Sequence, residues 1–258
     1  MSIPAPPPID AILVPQGAEY QAVARGLKPL SPQQRPRLIA LAVGVGAVIQ
    51  RLRDPETQRL LAPCRHVIVM GLAGSLSPQL EVGEVVVYQD ILVPRSSAAV
   101  TQLNLSLPSE GEYPDFPCDH DYTAQLLQCL PGARSVIALS SDRLIHHAPE
   151  KLSLGQQSGA AVVDMEAIAA HQCLHHLPGR SSEQPLSLGM VRVISDDGQM
   201  TLPDLSPAFR ADGSIDGIRM AGIFIQSPLA AVRLIRGSLK ALAILEKTTT
   251  QLWQPSQD

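Results

Sequence analysis

The sequence predicts an α/β protein, a single domain with a central, mostly parallel (mixed) sheet flanked by helices. Three observations predict this fold class. Short apolar runs alternate with helical patterns along most of the chain, as in sheets built from strand–helix–strand units. Most of these runs end in glycine, serine or an acid, which is where such sheets bind ligands. The length of 258 residues, with 45% hydrophobic and 17% charged residues, suits one sizeable domain.

The strands are predicted from apolar runs bounded by turn residues. They cover residues 11–14, 38–43, 66–70, 84–93, 135–139, 160–163 and 188–194. Helical patterns fill the gaps between them, over residues 18–27, 46–61, 121–130, 149–157 and 164–171. Residues 95–121 have little periodicity, and we expect a long loop that is functional or disordered.

The chain is expected to divide into three parts. Residues 1–9 form a flexible, proline-rich tail, residues 10–200 form the main domain, and residues 201–258 form a helical extension packed on it. Within the extension, 202–216 is a turn-rich linker, 218–225 is strongly apolar, and Ser227-Pro228 opens a helix to about Lys247.

Composition excludes several classes of protein. A formal net charge of -4 gives no electrostatic case for nucleic acid as a partner. The spacing of the four cysteines does not match a metal site, so no metal site is expected. We expect the cysteines to be reduced thiols. The start of the chain lacks the pattern of a signal peptide, and no apolar run approaches the ~20 residues that span a bilayer. We expect a cytoplasmic protein, at most attached to a membrane surface.

Acidic side chains follow three of the predicted strands. Asp164 and Glu166 stand where a strand becomes a helix, Glu19 lies one turn beyond the first strand, and Asp196 ends the last one. Such positions can bind a ligand. The alternative for Asp164 and Glu166 is a pair of helix N-terminal charges, each worth about 0.3–1 kcal/mol. The alternative for Asp196, which Asp197 follows, is a turn former.

Three segments resemble the purine nucleoside phosphorylase and nucleosidase superfamily. Gly71-Leu72-Ala73-Gly74-Ser75-Leu76 with Val82-Gly83-Glu84-Val85-Val86-Val87 is similar to its G-x-A-G-G-L…V-G-D-V-V-V signature. Val163-Asp164-Met165-Glu166-Ala167 is similar to V-E-M-E-A, and Val191-Arg192-Val193-Ile194-Ser195-Asp196 to V-R-A-I-S-D. The three occur in the family's order and spacing. The resemblance implies the nucleoside phosphorylase-like fold and cleavage of a sugar–nucleobase bond.

The resemblance also implies roles for individual residues. Asp196 is the general acid for the leaving purine, Glu19 positions an attacking water, and Glu166 binds the ribose hydroxyls. The remaining substrate contacts that it implies are Met165, Gly71, Leu72, Ala73, Gly74, Leu144 and Ser195. An aspartate carries a proton at neutral pH only if its pKa is raised from about 3.9, and burial at the strand end is the expected cause. No cofactor is implied; the co-substrate is inorganic phosphate or water. Relatives assemble as homodimers, so a homodimer is expected.

Some positions depart from the family pattern. An arginine that holds phosphate is replaced by Val69, and a hydroxyl residue after the first glycine is replaced by Leu72. Both changes favour water as the nucleophile or a rearranged phosphate site. An aromatic residue that stacks on the base is replaced by the segment Arg143-Leu144-Ile145, so aliphatic contact with the base is expected.

One branch of the family shares these departures, the hopanoid-biosynthesis-associated phosphorylases. Its members have an aliphatic residue at the Leu72 position and a similar C-terminal region around Ala211–Asp216 and Ser227-Pro228. The branch implies adenosylhopane, an adenosine with a lipid on its 5′ carbon, as substrate. The alternatives are a methylthioadenosine/S-adenosylhomocysteine nucleosidase and, from another class, a non-catalytic nucleoside-binding or storage protein.

The C-terminal helix has two interpretations. Arg233, Arg236, Lys240 and Lys247 are expected on the side opposite an apolar stripe of Leu229, Val232, Ile235, Leu239 and Leu242. The first interpretation is an ordinary core helix with a solvated basic face. The second is peripheral membrane contact, in which the basic face touches anionic lipid.

Overall fold

A computed structural model describes residues 7–108, 111–178, 186–208 and 216–253 of the chain. Most of the predicted N-terminal tail, the polar segment 179–185 and part of the C-terminal linker therefore lie outside the described residues.

The described residues form eight strands and nine α-helices in strong alternation. The strands are β1 Ala11–Pro15, β2 Arg37–Leu41, β3 His66–Ser75, β4 Val85–Leu92, β5 Asp115–Pro117, β6 Arg134–Ser140, β7 Val162–Asp164 and β8 Ser187–Asp196. The helices are α1 Ala18–Gly26, α2 Val45–Arg53, α3 Pro55–Leu61, α4 Ala98–Gln102, α5 His120–Cys129, α6 Ala148–Ser158, α7 Ala167–His175, α8 Gly217–Gln226 and α9 Pro228–Gln251. A short 3₁₀ turn, Ser206–Ala208, precedes α8.

The strands form one mixed sheet, which confirms the predicted fold class. Its order is β2-β1-β3-β7-β6-β4-β5, and β8 pairs with both β3 and β4. Five of the strand pairs are parallel; β3–β7, β4–β5 and β4–β8 are antiparallel. Because β8 bridges β3 and β4, the strands β3, β8, β4, β6 and β7 close into a ring. Gly74 near the end of β3 pairs with Asp196 of β8 and with Val163 of β7, and Val163 also pairs with Leu139 near the end of β6, so these strand ends lie side by side.

Two apolar cores lie on the two faces of the sheet. One lies under α2, α3, α4 and α7, and the other lies under α1, α5 and the second half of α9. Strands buried on both faces are apolar in continuous runs, and β1 is fully buried along its length. The small residues of α7, among them Ala167, Ala169 and Ala170, are all buried, so this helix approaches the sheet closely.

The structure corrects several predicted element bounds. β3 continues through the glycine segment to Ser75, so Gly71–Ser75 is strand and not a turn. The helix expected over 46–61 breaks at Asp54, whose side chain caps α3 by accepting a hydrogen bond from the Thr57 N–H (2.9 Å). The loop expected over 95–121 contains α4 and β5.

The expected orientation of the C-terminal helix is wrong for its first half. Leu229, Val232, Ile235 and Leu239 are 42–77% exposed, on the solvent side with the basic residues and not opposite them. The buried positions of α9 are Ala231, Ala241, Leu245, Thr248 and Thr249. Only the second half of α9 is therefore an ordinary core helix. In the part of the chain described, no helix is long and apolar enough to cross a membrane.

Candidate active site

A cavity of about 250 Å³ opens beside the last residues of β3, β7 and β8. It collects nine of the ten predicted site residues from five separate segments. Its lining is Pro15, Glu19, Val43, Leu72, Ala73, Gly74, Arg143, Leu144, Ile145, Val163, Asp164, Met165, Glu166, Ser195, Asp196 and Leu202. The tenth predicted residue, Gly71, is buried in β3 next to the Glu19 side chain.

The glycines of β3 make room for charged side chains. A Cβ at Gly71 would lie 2.7 Å from Arg192 Nη1 and 2.8 Å from Glu19 Oε1. A Cβ at Gly74 would lie 3.1 Å from a carboxylate oxygen of Asp196. Both follow from the strand register, in which Gly71 pairs with Arg192 and Gly74 with Asp196, beyond a bulge in β3. The resemblance implies that both glycines contact the substrate, and the structure shows that they also make room for protein groups.

Asp164 lies at the base of the cavity, which is the floor of the site, and anchors it through several hydrogen bonds. Its carboxylate accepts hydrogen bonds from Arg192 Nε and Nη2 at 3.2 and 3.1 Å and from the Tyr88 hydroxyl at 3.2 Å. It also accepts from the Ser140 hydroxyl (3.3 Å) and the Ala167 N–H (3.1 Å) at the start of α7. The hydrogen-bonding capacity of this buried carboxylate is therefore satisfied within the protein, which fits a structural role.

Glu166 lies beside that anchor and faces the cavity. One carboxylate oxygen is 3.4 Å from the Gly44 N–H, which donates to it, and the other is 3.9 Å from Arg192 Nη2. Burial, and next the charge of Asp164, raise the pKa of Glu166 to about 7, against the lowering effect of Arg192 and the Gly44 N–H. Glu166 can therefore carry or release a proton near neutrality.

Glu19 approaches the same floor from the first turn of α1. Its Oε1 accepts a hydrogen bond from the Leu72 N–H at 2.7 Å. Burial of the carboxyl group, and next the charge of Glu166, raise the pKa of Glu19 to about 7, while the Leu72 N–H and Arg192 lower it. A carboxylate with a pKa near the working pH is suited to act as a general base.

Arg192 connects these acids. It is fully buried, two of its nitrogens bind Asp164, and Nη1 has no hydrogen-bond partner among the described residues. Nη1 points at the same position above Gly71 as Glu19 Oε1. An unsatisfied buried guanidinium nitrogen is costly, so a ligand or water oxygen between Arg192 and Glu19 would stabilise this arrangement.

Asp196 has a cationic partner that was not expected. Lys151 of α6 is fully buried, and its Nζ contacts Asp196 Oδ2. The other oxygen, Oδ1, accepts a hydrogen bond from the Ser195 hydroxyl at 2.8 Å. The Lys151 Nζ also donates to the carbonyls of Asp197 (3.3 Å) and Met200 (3.4 Å). Burial was the environment expected for Asp196, and the structure adds a buried ammonium in direct contact with its carboxylate.

Asp197, the residue after Asp196, is part of a turn. Its carboxylate accepts a hydrogen bond from the Gln199 N–H at 3.0 Å and forms a turn after β8. The group facing Asp196 is therefore the Lys151 cation and not a second acid.

The walls of the cavity are aliphatic where the family has polar or aromatic groups. Leu144 and Ile145 line it, and Arg143 beside them is paired with Glu150. Leu72 also lines it, while Val69 is fully buried in β3. Among the described residues, no cluster of three or more His, Cys, Asp or Glu side chains can hold a metal ion.

Arg192 and Lys151 were not assigned roles from the sequence. Arg192 is a cation inside an otherwise apolar strand, and such a residue is seldom buried unless it is paired. That signal could have identified it as the partner of Asp164 and Glu166, for which no nearby lysine or arginine is found in sequence. Lys151 is an ordinary residue of a short polar helix and carries no such signal.

A family comparison places this site in context. Residues 40–214, more than half of the chain, match the model of the phosphorylase superfamily. The chain belongs to the phosphorylase superfamily. This membership confirms the predicted class of protein, an enzyme of the kind that cleaves N-glycosidic bonds. No curated protein sequence matches the chain.

Solved structures share the superfamily fold across nearly their whole length. The 5′-methylthioadenosine/S-adenosylhomocysteine nucleosidase of Helicobacter pylori has a TM-score of 0.63 at 14% identity, covering 95% of this chain and 97% of its own. The futalosine hydrolase of the same organism has a TM-score of 0.62 at 14% identity, covering 95% and 96%. The Neisseria meningitidis nucleosidase, in complex with methylthio-immucillin-A, has a TM-score of 0.62 at 16% identity, covering 94% and 96%. At these identities the likeness is one of fold.

Proposed function

We propose that this phosphorylase-superfamily enzyme cleaves the N-glycosidic bond of a 5′-substituted adenosine and releases adenine, with adenosylhopane as its substrate. The observation that carries the proposal is the single cavity in which Glu19, Glu166 and Asp196 meet. Two of these acids have pKa values near 7, and the third is in contact with a cation.

The three acids match the demands of the reaction. As the C1′–N9 bond breaks, its electron pair passes to adenine and the sugar becomes oxocarbenium-like. The positive sugar is stabilised by the carboxylates at the cavity floor, Glu166 among them. Asp196 passes a proton to the departing base, and the Lys151 ammonium in contact with Asp196 can supply that proton. Leu144 and Ile145 offer the base an aliphatic contact.

Water is the better nucleophile for this site. A water between Glu19 and Arg192 Nη1 would attack C1′, form the new C–O bond and pass its proton to Glu19. Phosphate would instead enter a floor with three carboxyl groups (Glu19, Asp164 and Glu166) around the one guanidinium, and the repulsion between like charges would oppose it. Val69 and Leu72, which replace polar phosphate contacts, support the same choice.

The 5′ substituent is assigned from the sequence of the C-terminal region. Leu72 and the region after Asp204 resemble the hopanoid-associated branch, and the apolar C-terminal region is expected to accommodate a lipid-bearing ribose. The alternative substrate, methylthioadenosine or S-adenosylhomocysteine, is favoured by the fold likeness to nucleosidases named for those two compounds.

The test is to incubate the protein with adenosylhopane, methylthioadenosine and S-adenosylhomocysteine, with and without phosphate, and to measure adenine. We expect release from adenosylhopane without phosphate, and a loss of at least a hundredfold in Asp196→Asn, in line with the typical contribution of a general acid. Asp121→Asn is the matched control, because the Asp121 side chain is 98% exposed.

Each other outcome has a defined meaning. Adenine release that requires phosphate contradicts the water assignment. A preference for methylthioadenosine selects the alternative substrate. Tight nucleoside binding without any adenine identifies a non-catalytic binding protein.

We also propose that the protein is a homodimer, as its resemblance to dimeric relatives implies. Light scattering coupled to size-exclusion chromatography measures this directly. A mass of 27.6 kDa, that of one chain, would contradict it.

A further inference from the structure

The first half of α9 and the whole of α8 present large apolar side chains to solvent. We define the α8–α9 face by these residues and the cations among them. The apolar members, with exposed fractions of 42–87%, are Ile218, Ile225, Leu229, Val232, Ile235 and Leu239. The basic members are Arg219, Arg233, Arg236 and Lys240, all exposed. Among the described residues, the only other large apolar side chain of comparable exposure is Leu60, at 40%.

All charged residues of this face are basic. Residues 217–245 contain four cations and no aspartate or glutamate, on a chain whose formal net charge is -4. Arg233, Arg236 and Lys240 form no ion pair with any described residue. These cations are therefore free to meet a negatively charged partner.

The cations and apolar side chains occupy one side of the helix together. At 100° per residue, Arg233, Arg236 and Lys240 lie within about 40° of Leu229, and Val232 and Leu239 follow on the same flank. All six are exposed, whereas Ala231 and Ala241 point to the core. An arrangement of this kind suits a lipid surface, since apolar side chains enter the acyl boundary while the arginine and lysine heads reach the headgroups.

A second copy of the chain fits this face poorly. In a two-fold dimer the same patch meets itself, so the three cations without an ion pair to any described residue, Arg233, Arg236 and Lys240, would face their own copies, while Arg219 is already paired with Asp216. Buried like charges without partners are strongly destabilising. An anionic surface has the complementary charge.

We propose that the α8–α9 face binds the surface of an anionic phospholipid bilayer without crossing it. The face lies on the outer side of a helix that borders the candidate active site, because on its inner side a Cβ at Gly237 would lie 2.4 Å from the Ser195 carbonyl, one residue before Asp196. Docking would bring the cavity close to the membrane surface. The exposure and charge of this face do not depend on which nucleoside the enzyme cleaves.

The test is co-sedimentation of the full chain with vesicles of phosphatidylcholine alone or mixed with phosphatidylglycerol. We expect binding to the mixed vesicles only, and its loss in high salt, since screening weakens the attraction. Arg233→Glu/Arg236→Glu should weaken binding by more than the roughly fivefold per charge that removal of one cation causes. Ile225→Ser/Leu229→Ser should also weaken it several-fold.

Matched controls come from α3. Leu60→Ser removes an exposed apolar side chain and Arg59→Glu reverses an exposed charge outside the face, and both should leave vesicle binding unchanged. Thermal unfolding checks that every variant is folded.

Three outcomes would overturn the proposal. The first is no binding to either vesicle. The second is equal loss of binding in the α3 controls. The third is a wild-type oligomer that Ile225→Ser/Leu229→Ser dissociates while vesicles capture none of the protein, which would assign the face to self-association.

Discussion

At the residue scale, the contact between Lys151 and Asp196 is the feature with most consequence for chemistry. A buried lysine and a buried aspartate each lose their hydration, and each is stabilised by the other. The carboxylate that should assist the leaving base is thus oriented by two groups, the ammonium and the Ser195 hydroxyl. Lys151 is a positioning residue in this arrangement, and Asp196 is the group that faces the cavity.

We expect Lys151→Met to lower kcat for adenine release by ten- to a hundredfold with a smaller effect on KM. The loss should come with a changed pH–rate profile, because the charge beside Asp196 is gone. Lys151→Arg should restore part of the rate. Because Asp196 would then be buried without its partner, Lys151→Met should also lower stability, by about 3 kcal/mol.

The double variant Lys151→Met/Asp196→Asn separates the two effects. It removes both charges, so stability should recover while activity stays low. A Lys151→Met enzyme whose pH–rate profile matches that of the wild type would mean that the lysine serves the fold alone.

At the element scale, β3 shows why its glycines are needed. Two of its glycines lie beside charged groups of neighbouring elements, Arg192 and Asp196 of β8 and Glu19 of α1. The sequence predicted the first part of β3 from its apolar run, but glycine and alanine have low strand propensity, and so the remainder was taken for a turn. The pairing with β8 over almost the full length of β3 holds it extended.

We expect Gly71→Ala to lower activity at least tenfold and to destabilise the protein by about 1–3 kcal/mol. The added Cβ would lie within 3 Å of both Arg192 and Glu19, and both are fixed by other bonds, so the site must shift. Adenine release and thermal unfolding measure the two effects. Gly222→Ala is the control, since a Cβ there meets nothing within 4 Å. If the two variants behave alike, close packing at Gly71 is not the reason for its glycine.

The orientation predicted for the first half of α9 was wrong. A helical pattern predicts which residues share a side, and Leu229, Val232 and Leu239 do share one. The pattern does not predict which side of the helix packs on the sheet when that side carries small residues such as alanine and glycine. Ala231 and Gly237 face inward because a close approach to β8 leaves no space for larger side chains. The large apolar residues of this half of the helix are therefore exposed to solvent, whereas an amphipathic helix ordinarily buries them.

At the scale of the whole molecule, local sequence patterns did not predict which distant segments pair with one another. Alternating strands and helices were readable from local patterns, and so was the set of acids at strand ends. The ring closed by β8, the salt bridge from Arg192 to Asp164 and the contact of Lys151 with Asp196 each join residues 28 or more positions apart. No local period encodes such contacts, and only the superfamily resemblance brought the site residues together in advance.

The raised pKa values of Glu19 and Glu166 predict that stability falls as pH rises. Both are near 7 in the folded protein, against about 4.5 for an ordinary glutamate. The folded state therefore holds its protons more tightly, and ionisation above pH 4.5 favours the unfolded state, with the full penalty present above pH 7. We expect Glu166→Gln to raise the free energy of unfolding at pH 8 by on the order of 2 kcal/mol and to change it little at pH 4.

Thermal or urea unfolding at the two pH values measures this effect. Glu56→Gln, at an exposed position of α3, is the control and should show no such difference. A Glu166→Gln gain that is equal at both pH values would point to packing and not to ionisation.

The position of α1 depends on its packing against α9. Gly26 of α1 would place a Cβ 2.5 Å from the Glu246 carbonyl, and Thr250 donates a hydrogen bond to the Gly26 carbonyl at 3.1 Å. Arg25 and Glu246 are paired at 2.7 Å across 221 positions of sequence. The helix that carries Glu19 is thus held in place by α9. A substitution that loosens the contact between α1 and α9 would displace the Glu19 carboxylate without changing any residue of the cavity.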